Sequence, residues 1–287
     1  MAGKQKKPKK SIIIFLLSSI IVLVTVILIT VPRVTVTTEP EEEISAVHGV
    51  EEEPEKPEIP EPAAEKPDIY IVIDDVGYNL EQLQPFLEIP VPITFSILPH
   101  LQFSAEAADM IRAAGKEYIL HLPMEASGGE DPGPGALFIS MSEDEIKQTT
   151  VSDISSIPYL SGANNHMGSL FTSDKKSMKS VLSVLKQNSM FFLDSYTTAS
   201  SVVQDICEEL DMDYIKRDVF LDNSQDEGEM KNALEKGLTV AEAKGSAVMI
   251  GHVWSPELPE IISRISMENS EGFEFGFISE KYNEKQL

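Results

Sequence analysis

Ile71-Val72-Ile73-Asp74-Asp75-Val76-Gly77-Tyr78 begins as an uninterrupted apolar run and stops abruptly at two adjacent carboxylates, followed closely by a glycine. A continuous apolar run of this length reads as a buried parallel strand. In α/β folds the C-terminal ends of such strands carry the ligand site, because the loops converge there above a rigid sheet. Asp74 and Asp75 are thus expected at an active-site rim. Successive strand residues point to opposite faces, so the two carboxylates are expected to have different partners and different tasks. A turn built on Asp-Asp-x-Gly, with no chemistry, is the other reading of the same residues.

Working outward, segments of strand and helix character alternate from Asp68 onward. Strands are expected near 69–75, 92–97, 117–122, 161–166, 190–194, 213–218, 246–251 and 273–278. Helices are expected near 79–88, 103–114, 142–156, 174–188, 199–210, 227–243 and 256–267. Ser142 and Glu145 form a capping box, Ser255-Pro256 suits an N-cap and first helical position, and Gly115 stops a helix. Such alternation with short connections implies a parallel sheet wrapped by helices. With seven or eight units, a closed or nearly closed (β/α) barrel is the leading architecture, and an open doubly wound sheet is the second.

The first 67 residues differ from this domain. Lys4, Lys6, Lys7, Lys9 and Lys10 precede a nearly uncharged apolar run from Ile12 to Val31. About twenty such residues at 1.5 Å rise cover the hydrocarbon core of a bilayer. Residues 1–33 are expected to form a basic tip and an uncleaved single-pass anchor with the N-terminus cytoplasmic, a cleaved signal peptide being the alternative. Residues 34–67 are rich in Glu and Pro, too poor in apolar groups to fold, and read as an extended spacer. They lack the alternating ligands and central glycine of a calcium loop. Residues 68–287 would then be an extracytoplasmic domain. The net charge of −24 opposes nucleic acid and anionic lipid as partners. The single cysteine, Cys207, excludes an internal disulfide.

Polar residues gather where the expected strands end. They include His100, His121 with Glu125, Asn164-Asn165-His166, Asp194, Arg217-Asp218 and His252 with Trp254. Four of the five histidines therefore fall on one rim, and His48 is the exception. Carboxylate with imidazole is a ligand set for a borderline divalent ion such as zinc that leaves a position open for water. Asp75 and Asp74 offer a ligand and a base for that water. Arg217 either clamps a substrate oxygen or is neutralised by Asp218. Asn164 and Asn165 either donate to a developing oxyanion or form a plain turn beside Gly162 and Gly168. Trp254 either stacks on a sugar ring or caps the barrel. The glycine-rich stretch 128–135 lacks the Lys-Ser/Thr of a phosphate loop, and no Gly-x-Ser-x-Gly elbow is present.

Ile73-Asp74-Asp75-Val76-Gly77, His121-Leu122-Pro123-Met124-Glu125, Asn164-Asn165-His166-Met167-Gly168-Ser169, Phe192-Leu193-Asp194-Ser195 and Ile250-Gly251-His252 together resemble the divergent polysaccharide deacetylase family. The resemblance spans essentially all of residues 68–280. It implies a distorted barrel of about seven parallel strands shared with metal-dependent carbohydrate esterases. It further implies Asp74 as base, Asp75 as metal ligand and His252 as the acid. Ordinary polysaccharide deacetylases supply two metal histidines four residues apart, where this chain has His121 and Glu125. Either His166 takes the missing place or Glu125 binds directly. The expectation is a membrane-anchored deacetylase of an N-acetylated polysaccharide, with zinc held by Asp75, His121 and His166. Glu125, Asn165, Asp194, Arg217 and Trp254 are candidate further ligands or substrate contacts. A catalytically silent glycan-binding or envelope-scaffolding domain is the alternative.

Overall fold

The computed structural model describes residues 66–284. The expected anchor and all but the last two residues of the spacer lie outside them. Among the described residues no helix is long and apolar enough to cross a membrane.

Nine strands are found there: β1 (Asp68–Val76), β2 (Thr94–Ile97), β3 (Glu117–Met124), β4 (Gly162–Met167), β5 (Phe191–Asp194), β6 (Ile215–Lys216), β7 (Val219–Phe220), β8 (Ser246–His252) and β9 (Glu274–Gly276). The α-helices among the described residues are α1 (Leu80–Leu87), α2 (Ser104–Ala113), α3 (Glu143–Ser156), α4 (Lys175–Gln187), α5 (Val203–Leu210), α6 (Glu227–Lys244), α7 (Leu258–Glu268) and α8 (Ile278–Glu284). Side-chain caps start several of them. Asn79, Ser142, Asp174 and Asp226 each accept a backbone N–H of the first turn, and Ser142 with Glu145 completes the expected capping box. On α4, Met178, Val181, Leu182 and Leu185 make the buried stripe at helical spacing.

All strand pairs are parallel, in the order β6-β5-β4-β3-β2-β1-β8-β7. The expected single strand 213–218 is instead two short strands on opposite sheet edges. Arg217 N–H bonds to Asp194 O on β5 at 3.0 Å, and the next amide, Asp218 N–H, bonds to Val248 O on β8 at 2.8 Å. One continuous segment thus bridges the two ends of the curled sheet, which fits a barrel and not an open doubly wound sheet. Both faces are covered, which explains the unbroken apolar run of β1. Ile69, Ile71 and Ile73 join the large cluster with helix residues such as Leu83, Phe86 and Ile111. Tyr70 and Val72 join a second cluster with Ile119, Phe191, Leu193, Val248 and Ile250.

β9, shorter than the expected 273–278, pairs with Asp68–Tyr70 at the start of β1, where β2 has not yet begun. α8 follows at once. Ile278 N–H bonds to Thr94 Oγ1 at the start of β2, and Ile278 and Tyr282 pack with the inner cluster. The end of the barrel opposite Asp74 and Asp75 is closed this way. Two helix starts also differ from expectation. α5 begins at Val203 and not near 199, and α7 begins at Leu258, because the Ser255 hydroxyl donates to Asp222 and does not cap the helix.

Candidate metal centre

The rim is set by a bulge in β1. Ile73 pairs with Phe95 and Val76 with Ile97, so three steps on β1 oppose two on β2. Asp75 lies in the bulge at φ 66°, a left-handed conformation that Asp tolerates better than most residues. The bulge breaks the two-residue alternation that assigned the carboxylates to opposite faces. Both now approach one atom: His121 Nε2 lies 3.2 Å from Asp75 Oδ1 and 3.8 Å from Asp74 Oδ2.

His121 comes from the buried stretch of β3 and His166 from β4, its neighbour in the sheet. His166 Nδ1 lies 2.9 Å from Asp75 Oδ1 and 3.2 Å from His121 Nε2. Three ligand atoms from three strands thus converge. A tetrahedral zinc site with bonds of about 2.0–2.1 Å has ligand-to-ligand edges of about 3.3 Å. Two of the three separations, at 3.2 Å, are close to such an edge, and the third, at 2.9 Å, is shorter.

The tautomer of His121 follows from its neighbours. Asn164 Nδ2 donates to Asp74 Oδ1 at 2.8 Å, which fixes the amide and leaves Asn164 Oδ1 to accept from His121 Nδ1 at 2.7 Å. Neutral His121 therefore carries its proton on Nδ1 and turns the lone pair of Nε2 toward Asp75 and His166. Asp75 Oδ1 is buried without a hydrogen bond. A carboxylate oxygen and two imidazole nitrogens that converge on one point are a donor set that fits a divalent ion. Burial would raise the Asp75 pKa, but the facing His121 and His166 outweigh it and hold the carboxyl far below its usual range. Burial would lower the His121 pKa, and Asp74 and Asp75 override it to raise the value.

His252 sits beside this cluster, as Asp74 and His252 are register partners on β1 and β8. Asp222 holds it, with Oδ1 at 2.9 Å from His252 Nδ1 and Oδ2 accepting the His252 backbone N–H at 2.9 Å. Against the cost of burial, Asp222 raises the His252 pKa to about 9. Asp222 was missed in the sequence. It follows the apolar Val219-Phe220-Leu221, a strand-end signal hidden when 213–218 was read as one strand.

Other candidates have different partners. Glu125 Oε2 accepts Ile139 N–H at 2.8 Å, so Glu125 anchors a loop and stands outside the convergent cluster. Asn165 bridges Ser195 N–H and Met167 O, a structural tie in place of an oxyanion contact. Asp194 is fully buried and accepts from Tyr196 N–H, Ser201 Oγ and Tyr214 Oη; burial raises its pKa. Arg217 donates to the carbonyls of Ser195 and Tyr196, while Asp218 pairs with Lys244. His100 pairs with Asp153 at 2.8 Å, apart from the three convergent ligands. Trp254 Nε1–H donates to Asp75 Oδ2 at 2.8 Å.

The sequence profile of the divergent polysaccharide deacetylases matches residues 71–281. The chain belongs to that family. It is 34% identical over 182 residues to the protein YibQ of Escherichia coli (strain K12), covering 63% of this chain and 57% of that one. A protein of Haemophilus influenzae is 30% identical over 182 residues, covering 63% and 65% respectively. This chain thus spans about three fifths of the length of these curated relatives. A crystal structure of the protein ATU2773 from Agrobacterium tumefaciens C58 has a TM-score of 0.72 at 22% identity, covering 77% of this chain and 91% of that one. That likeness shows a shared fold.

Proposed function

We propose that this divergent polysaccharide deacetylase is a zinc-dependent hydrolase that removes the acetyl group from an N-acetylated sugar of an extracytoplasmic polysaccharide. The observation that carries the reading is the convergence of Asp75 Oδ1, His121 Nε2 and His166 Nδ1 within 3.2 Å of one another, with Asp74 beside them. Those three side chains would hold the ion. When bound, it would supply Lewis acidity and make water a stronger acid. Asp74 then takes the proton of the attacking water, and Asn164 orients that carboxylate. His252, kept protonated by Asp222, returns a proton to the leaving amine. The non-catalytic reading rested on the missing histidine of the His121–Glu125 pair, and His166 brings an imidazole to that corner. The apolar run 12–31 would anchor the chain in a membrane with this domain outside the cytoplasm, and the spacer would carry it toward a glycan.

The test is metal content and acetate release from N-acetylated glycan oligomers. One zinc per chain, lost in Asp75→Ala and His166→Ala, with acetate release abolished by Asp74→Asn, is the expected result. Full metal content in both ligand variants would refute the assignment.

A further inference from the structure

We infer that Trp254 is a positioning residue that ties the metal carboxylate to the proton donor. The inference rests on the metal-centre reading above and assigns a role which that reading does not need.

Trp254 is the only tryptophan of the chain and is 43% exposed just beyond β8. Its Nε1–H is directed at Asp75 Oδ2, the carboxylate oxygen that does not face the two imidazoles. A carboxylate free to turn can offer a cation either oxygen or both. With Oδ2 engaged by the indole, Asp75 presents Oδ1 alone, as a site of three protein ligands and one open position requires. A charge-assisted hydrogen bond from a rigid ring is well suited to this task.

The same indole lies over His252, with ring centroids 4.9 Å apart and planes inclined by 20°. On its other side His252 meets Phe220 at 5.9 Å and again 20°, and the Arg217 guanidinium lies 3.6 Å from the Phe220 centroid. Arg217, Phe220, His252 and Trp254 therefore form one stack across the rim. Backbone carbonyls of Ser195 and Tyr196 fix its Arg217 end, and Asp75 fixes its Trp254 end. His252 cannot tilt without displacing the ring that holds the metal carboxylate. The flanking backbone reinforces the coupling, since Val253 N–H bonds to Asp74 O at 3.0 Å and Ser255 Oγ donates to Asp222.

The experiment is zinc titration of the purified chain, of Trp254→Phe, which keeps an aromatic face and removes the N–H, and of Trp254→Leu, which removes both. Outer partners of metal ligands typically alter affinity by about 10–100-fold. Trp254→Phe is expected to weaken zinc binding about 10-fold while the zinc-free protein remains folded with a cooperative melt. Trp254→Leu is expected to weaken zinc at least as much and also to lower kcat for acetate release. In the wild type, Trp254 emission is expected to change and to saturate at one zinc per chain. Wild-type zinc affinity in Trp254→Phe, or indole emission indifferent to bound zinc, would overturn this inference alone. A wild-type chain that binds no zinc would overturn the metal-centre reading, and this inference with it.

Discussion

Asp74 and His252 are register partners on the adjacent strands β1 and β8, and each is fixed by a different polar side chain, Asn164 for Asp74 and Asp222 for His252. Under the proposed function, a base and an acid placed on neighbouring strands would act on opposite sides of one scissile bond without a moving loop. Their supports differ in kind, one neutral and one ionic. That difference makes them separable by experiment.

Asp222 raises the His252 pKa from 6.5 to about 9. A raised pKa means that folding favours the protonated form, so the stabilisation is complete below pH 6.5 and is lost as pH rises through 9. For the metal-free protein this corresponds to a fall of about 3 kcal/mol over that interval. Urea denaturation at pH 6, 7.5 and 9.5 should show it. Asp222→Asn should flatten the dependence, and an unchanged slope in that variant would contradict the pairing.

His166→Ala removes one of the three convergent ligand atoms, whereas Glu125→Ala removes only the acceptor for Ile139 N–H. Zinc affinity should fall in His166→Ala by more than the roughly 100-fold typical of outer partners. Glu125→Ala should keep wild-type affinity and lose about 1 kcal/mol of stability. Isothermal titration paired with denaturation checks both, and a reversed pattern would make Glu125 the ligand.

Asn164 touches no ion in this arrangement, yet it orients both Asp74 and His121. Asn164→Ala should weaken zinc binding about 10–100-fold. It should also cost roughly 1–3 kcal/mol for each buried group left unpaired. The readout is zinc affinity beside urea midpoint. Full affinity in a destabilised variant would show that the His121 tautomer needs no outside support.

Gly162 and Phe191 are register partners on β4 and β5, and a Cβ on Gly162 would lie 2.5 Å from the Phe191 ring. Phe191 is 1% exposed and packs with Tyr282 of α8, so the ring has little room to yield. Gly162→Ala should destabilise by about 1–3 kcal/mol through overpacking. The denaturation midpoint measures it, and a neutral result would mean that the inner cluster can rearrange.

The apolar run of β1 and the histidines at strand ends were legible because they depend on local pattern. Convergence of Asp74 and Asp75 was not, since alternation assigned them to opposite faces and only the bulge reverses this. Glu125 and His166 could not be separated by spacing. Position 125 lies just past the end of the strand that carries His121 and bonds Ile139, while His166 reaches Asp75 from the neighbouring strand. Asp222 is hidden because 213–218 reads as a single strand, and the switch of this segment from one sheet edge to the other depends on hydrogen bonds between residues far apart in sequence. The expected membrane anchor lies outside the described residues.

That switch occupies two successive amides, at Arg217 and Asp218, which reach in opposite directions. The crossing from one sheet edge to the other is therefore made across a single peptide link. Lengthening an ordinary surface loop would add residues that face solvent, but one extra residue at this seam would reverse the side of every residue up to Phe220. The guanidinium would then lose the ring beneath it, and His252 would lose its wall.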